Sequence, residues 1–196
     1  MAEKEDTEGD GRRLRGLANR DAIVRAMMEL IEAGHVSPSA ARVAEVAGVG
    51  LRTVYRHFDD LDALYQEMAA IVRADLEPVL TRPLKTAPVH ERLEELIHGR
   101  VQVYERIMPL KIAANIRRFS SEYLMQDYLS VLRKEEKSLR LALEPVAPVE
   151  DELFHSLLIA ISFQVWRGLR LDHGHTVEEA EGVVRRMVRS LAKDLC

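Results

Sequence analysis

Residues 39–58, SAARVAEVAGVGLRTVYRHF, constrain this chain more than any other stretch. Two short helical patterns meet there at a glycine-containing corner. In the first, Ala40, Val43, Ala44 and Ala47 fall at helical spacing, with Arg42 and Glu45 turned away. Gly48-Val49-Gly50 supplies the corner, since glycine accepts the positive φ that a sharp helix-to-helix turn needs. The second pattern covers 51–58. At about 100° per residue, Val54 and Phe58 share one side, Arg52 and Arg56 lie opposite, and Thr53, Tyr55 and His57 flank them. A small apolar foot beneath long hydrogen-bond donors suits a helix lying in the major groove. The stretch reads as a helix-turn-helix whose second helix contacts DNA.

Charge is distributed to match. The whole chain carries 28 bases and 32 acids, a net of −4 that alone argues against nucleic acid. Residues 1–10 hold one base and five acids (−4), residues 11–58 eight bases and four acids (+4), and the remainder 19 bases and 23 acids (−4). The positive charge is concentrated where an electrostatic footprint on phosphate is needed. A hydrophobic content of 47% implies a packed core, and 196 residues allow one large or two small domains. The single cysteine, Cys196, excludes an intramolecular disulfide and a thiolate metal site and fits a reducing cytoplasm. The acidic N-terminus is not a signal peptide, and the longest apolar run, 157–166, is short of the roughly 20 residues that span a bilayer. The protein is expected to be cytoplasmic.

Periodicity is helical throughout, with no alternating strand pattern, so the fold class is all-α, with about nine helices. Residues 1–16 read as a disordered N-terminal arm. A first helix is expected from Asn19 to Ala33, stopped by Gly34. Ser39 caps the next, and Asp59 or Asp60 caps a fourth that continues to about 80. Two prolines within 81–88 place a domain boundary there, giving a DNA-binding domain with its connecting helix at 17–80 and a helical domain at 81–196. In the latter, helices are expected over 89–107, 109–119, 121–143 and 149–172. Thr176 and Glu179 form a capping box opening the last.

The spaced set Ala44, Ala47-Gly48-Val49, Thr53, Tyr55, His57-Phe58, followed by Asp59 to Leu64, resembles the N-terminal domain of TetR-family transcriptional regulators over roughly residues 20–68. The resemblance implies a three-helix helix-turn-helix head and a C-terminal bundle that dimerises and binds a small effector. It also implies a homodimer on a palindromic double-stranded DNA operator, most often as a repressor. One departure stands out: where the family commonly carries a basic residue at the start of the fourth helix, this chain has Leu61 after two aspartates.

Candidate DNA contacts are Ser39, Arg42, Arg52, Thr53, Tyr55, Arg56 and His57, with Arg52 and Arg56 as the base-edge or phosphate donors. Arg12, Arg13 and Arg15 form a basic arm that reaches phosphate or the minor groove, or a solvated tail. Tyr104, Met108, Phe119, Tyr128, Phe163 and Trp166 are either an effector pocket or ordinary core, and Arg117-Arg118 either favours an anionic ligand or is a surface pair. The 149–172 segment is apolar nearly all round and needs two burial partners. A two-fold interface through Leu157, Ile161, Val165, Val184, Met187, Val188 and Leu191 would supply one; a monomer with a central buried helix is the plainer alternative. His173-x-His175 with Asp172 sits in a loop and reads as a cap region, so no metal and no cofactor is expected. No nucleophile-elbow, phosphate-loop or metalloprotease motif occurs, so no catalytic residue is assigned and the chain is not expected to be an enzyme. The alternative function is a helical ligand- or partner-binding dimer without sequence-specific DNA binding.

Overall fold

The computed structural model describes residues 3–80, 88–144, 148–193 and 195, with side chains described from residue 13 onward, 77 and 80 excepted. Among the described residues the structure is all-helical, with no strand: α1 (Glu3–Glu32), α2 (Ala40–Val46), α3 (Leu51–His57), α4 (Leu61–Leu80), α5 (Val89–Arg117), α6 (Glu122–Leu143), α7 (Asp151–Ala160), α8 (Phe163–Arg167) and α9 (Val177–Leu191). A 3-10 turn over Arg118–Ser120 joins α5 to α6, and a π-helical turn over Gly168–Asp172 follows α8. No helix is long and apolar enough among the described residues to cross a membrane.

Two compact units emerge. One comprises Met1–Ala74 with Pro109–Met125; the other comprises Asp75–Met108 with Gln126–Cys196. This differs from an expected division at 81–88, of which 81–87 lie outside the described residues. The reason is in the packing. Ala113 and Leu124 are buried in one cluster with Ile23, Met27, Val43 and Leu64, and Leu110, Ala114 and Tyr123 pack against it. Residues 109–125 therefore belong to the core of the helix-turn-helix unit.

Three further expectations change. Helix α1 begins at Glu3 rather than near Asn19, so the described part of the 1–16 arm is helical and Asn19 is not a cap. Its stretch lacks proline, and glutamate, lysine, arginine and leucine all favour helix. The expected break at Pro109 is absent: α5 runs unbroken through it. An interior proline costs about 3 kcal/mol, a cost that the burial of Met108 and Ala113 on either side helps to offset. Conversely, 149–172 is not one helix. It stops at Ile161 (φ −102°, ψ 15°) and restarts after Ser162 (φ −78°, ψ 157°), whose hydroxyl accepts from the Val165 amide at 3.4 Å. Serine as an internal cap is the signal that a purely apolar periodicity conceals.

The second unit packs Leu93, Ile97, Val101 and Tyr104 of α5 with Leu139 of α6, Phe154 and Leu157 of α7, Phe163 and Trp166 of α8, and Ala180, Val184 and Val188 of α9, all buried. Tyr104 meets Phe163 edge-on at 5.5 Å between centroids. Helix α9 opens on a complete capping box, the Thr176 hydroxyl accepting from the Glu179 amide (3.2 Å) and the Glu179 carboxylate from the Thr176 amide (2.9 Å).

Candidate nucleic-acid interface

Helix α1 forms the floor of the first unit through Ile23, Val24, Met27, Leu30 and Ile31, all buried. It stops at Gly34, whose φ of +94° is paid with no side-chain strain, while the Gly34 and His35 amides donate to Ile31 and Leu30. Ser39 caps α2, accepting from the Arg42 amide at 3.3 Å. Ala40, Val43 and Ala44 turn inward. At the corner only Gly48 uses the left-handed region (φ +66°), with Val49 donating to the Ala44 carbonyl at 3.0 Å. Gly50 is extended (φ −72°, ψ 147°) and serves instead as the N-cap of α3, its carbonyl accepting from Thr53.

On α3 the division expected from the sequence is present. Val54 and Phe58 are each 2% exposed, whereas Arg52, Tyr55 (56%) and Arg56 face solvent and Thr53 and His57 are half-buried. Neither Arg52 nor Arg56 has an ion pair or hydrogen bond among the described residues. Two cations and a phenol thus stand on one face of a helix whose opposite face is locked into the core. Arg42 is exposed but paired with Glu45 at 2.6 Å, a contact weak enough in water to be exchanged for phosphate. Arg13 and Arg15 are exposed on α1; the Arg12 side chain lies outside the described residues.

Arg20 was not singled out by sequence reasoning, yet it holds α3 in place. Its guanidinium donates to the His57 carbonyl at 2.7 Å and to Glu67 of α4 at 2.5 Å, and lies 4.4 Å from the centroid of the Phe58 ring. Burial, then the nearby Arg56 and Arg20 charges, hold the His57 imidazole below its ordinary pKa. At the start of α4, Asp60 rather than Asp59 is the cap, accepting from the Ala63 amide at 2.8 Å. Leu61 packs against the core, so this position is an apolar anchor rather than a phosphate contact. Asp62 accepts from Arg117 (3.1 and 3.2 Å) and from the buried Ser121 hydroxyl (2.6 Å), which in turn caps α6 at the Leu124 amide. Arg117 is therefore engaged within this unit.

Of the pocket candidates, Tyr104, Met108, Phe163 and Trp166 are buried in the second unit and Tyr128 is half-buried there. Phe119 belongs to the other unit and is 75% exposed beneath Arg118, because the 3-10 turn carries it outward. An opening lined in part by Arg100, Tyr104, Ser162 and Trp166 is small, about 10 Å³, room for about one water molecule. Arg100 and Ser162 escaped the aromatic pattern. Of the expected interface residues, Leu157, Ile161, Val184 and Val188 are buried in the chain's own core; Val165 and Leu191 are half-buried and Met187 is exposed. Beside the loop histidines, Asp172 is taken by Arg167 (2.9 Å) and His175 faces Glu179 (3.7 Å), and no metal-binding group of three is present among the described residues.

No known family profile and no curated protein matches the chain. Solved structures do. A transcriptional regulator from Rhodococcus sp. Rha1 superposes with a TM-score of 0.72 at 16% identity, covering 89% of this chain and 96% of that one. A protein assigned to the TetR family of transcriptional regulators, from Mesorhizobium loti MAFF303099, superposes with a TM-score of 0.56 at 16% identity, covering 92% and 98%. The chain has the fold of these regulators.

Proposed function

We propose that the chain is a sequence-specific DNA-binding transcriptional regulator, a repressor that binds a palindromic operator as a homodimer and is released by a small-molecule effector in the cytoplasm. The observation that carries this reading is α3: Arg52, Tyr55 and Arg56 exposed and without partners among the described residues, opposite a foot of buried Val54 and Phe58. The solved structures that share the fold, one of a transcriptional regulator and one assigned to the TetR family, support it. Arg52 and Arg56 read base edges or phosphates; Ser39, Arg42, Thr53, Tyr55 and His57 position the backbone; Arg12, Arg13 and Arg15 add phosphate contacts from α1. One recognition helix reads only a few base pairs, so two copies on half-sites about 34–36 Å apart are needed for selectivity. The effector acts by binding better to the dimer state that fits adjacent grooves less well, and its differential affinity is the whole of the regulatory energy.

Selection from a random duplex pool, with Arg52→Ala/Arg56→Ala as control, tests this. A palindrome that the double variant cannot bind is expected, with affinity falling steeply with salt. Arg56→Ala alone should lose roughly 1–3 kcal/mol of discrimination at one base position; an equal loss on all sequences makes it a phosphate contact. No enrichment at low salt would leave a helical ligand- or partner-binding protein.

A further inference from the structure

The exposed face of α3 is not uniform. At about 100° per residue its side chains fall into neighbouring rows, Leu51 with Tyr55, then Arg52 with Arg56, then Thr53 with His57. The structure keeps this order. Leu51 and Tyr55 are 43% and 56% exposed, Arg52 and Arg56 face solvent without partners among the described residues, and Val54 and Phe58 close the helix onto its core. A lone leucine at a surface needs no explanation. A leucine beside a tyrosine and two unpaired arginines limits what can cover it. The partner must offer acceptors or negative charge to one row and apolar carbon to the row next to it.

Duplex DNA offers both in its major groove. Guanine presents N7 and O6 there, and the apolar group on the floor of the groove is the C5-methyl of thymine. Gly50, just before Leu51, supports the same partner. It is the N-cap of α3 at φ −72° and ψ 147°, a backbone that any residue adopts, and a Cβ at that position would meet nothing within 4 Å among the described residues. Neither conformation nor packing within the chain calls for glycine, and serine would cap the helix at least as well. What the missing side chain supplies is closeness, since a second molecule can reach the backbone beside Leu51.

We infer that α3 reads thymine: the Leu51 side chain, flanked by the Tyr55 ring, seats on the C5-methyl of a thymine in each half-site, next to the base or phosphate taken by Arg52. This rests on the regulatory reading above and adds to it the chemistry of one base position, which the arginines alone do not specify. The Tyr55 hydroxyl stays available for the DNA backbone. Burying one methyl is worth about fourfold in affinity, the equivalent of roughly 0.8 kcal/mol.

The duplex selected from the random pool is resynthesised with deoxyuridine in place of one thymine at a time, which deletes the C5-methyl and leaves pairing and charge unchanged. The full-length protein is titrated onto each duplex at constant salt. At one thymine of each half-site the deoxyuridine duplex should bind about fourfold more weakly. Leu51→Ala, folded by circular dichroism because the position is open, should bind the two duplexes equally there. Arg52→Ala should bind both more weakly and keep their ratio. Gly50→Ser should unfold no lower in temperature than wild type, yet bind the operator at least about fivefold more weakly, the low end of the loss for one base contact. A selected half-site without thymine, no deoxyuridine effect at any position, an undiminished ratio in Leu51→Ala, or full-strength binding by Gly50→Ser would overturn the assignment and leave a DNA-binding regulator standing. Enrichment of no duplex at low salt would remove the regulator and the thymine contact together.

Discussion

Arg20 is a charged residue inside a basic stretch that is committed to holding the fold. Its guanidinium is spent on the His57 carbonyl, on Glu67 and on the Phe58 ring, which together tie the end of α3 to α1 and α4. Arg20→Gln should therefore lower the unfolding free energy by roughly 1.5–3 kcal/mol, the range for a hydrogen bond to a charged group. Glu67→Gln should cost under about 0.5 kcal/mol, because the Arg20 and Glu67 side chains remain 35% and 41% exposed and water screens their attraction. Urea midpoints for the two variants decide the order. On an operator, Arg20→Gln should bind more weakly with an unchanged salt slope; a slope reduced by about one unit would mean that Arg20 contacts phosphate after all. The neighbouring His57 gives a second expectation. Its folded pKa lies below the ordinary 6.5, so the unfolded chain takes up the proton first and stability falls as pH drops below 6.5. His57→Gln should remove that part of the decline below about pH 6.5, read from urea midpoints at each pH.

At the scale of elements, the caps differ in strength. Thr176 and Glu179 satisfy each other's amides at 3.2 and 2.9 Å, whereas Ser162 holds Val165 only at 3.4 Å. Thr176→Ala should cost about 1 kcal/mol and Ser162→Ala roughly half that, and thermal unfolding would expose a reversed order. The contrast also shows what was legible in the sequence. The capping box, the Ser39 cap, the Gly48 corner and the Val54–Phe58 foot are local devices whose chemistry is complete within a few residues, and each was readable there. The continuous α5 and the broken α7–α8 were not. Whether Pro109 ends a helix depends on what Met108 and Ala113 pack against, and whether Ser162 opens one depends on donors from Arg100 and Tyr104, some 60 residues away. Burial, too, is decided by distant partners, which is why Phe119 is outside and Leu157 inside.

At the scale of the whole molecule, the two-fold surface of our proposal must use apolar residues that a single chain leaves open. Leu157 cannot serve at 0% exposure, but Ile159 on the other side of α7 is 63% exposed and Met187 of α9 is 37% exposed. Helices α7 and α9 belong to one unit, so these residues can contribute to a single self-complementary patch. Ile159→Glu/Met187→Glu should give a folded monomer by light scattering, since charge at an exposed position costs the free chain little. Leu157→Glu should instead unfold the protomer, because the carboxylate would be buried without a partner. Separating the heads also removes the second binding event, so operator affinity in the double variant should fall on the order of 100-fold. Its salt slope should be roughly halved, each head then neutralising its own phosphates alone. A double variant that stays dimeric and holds the operator as tightly as wild type would place the two-fold contact on another face of the helical body.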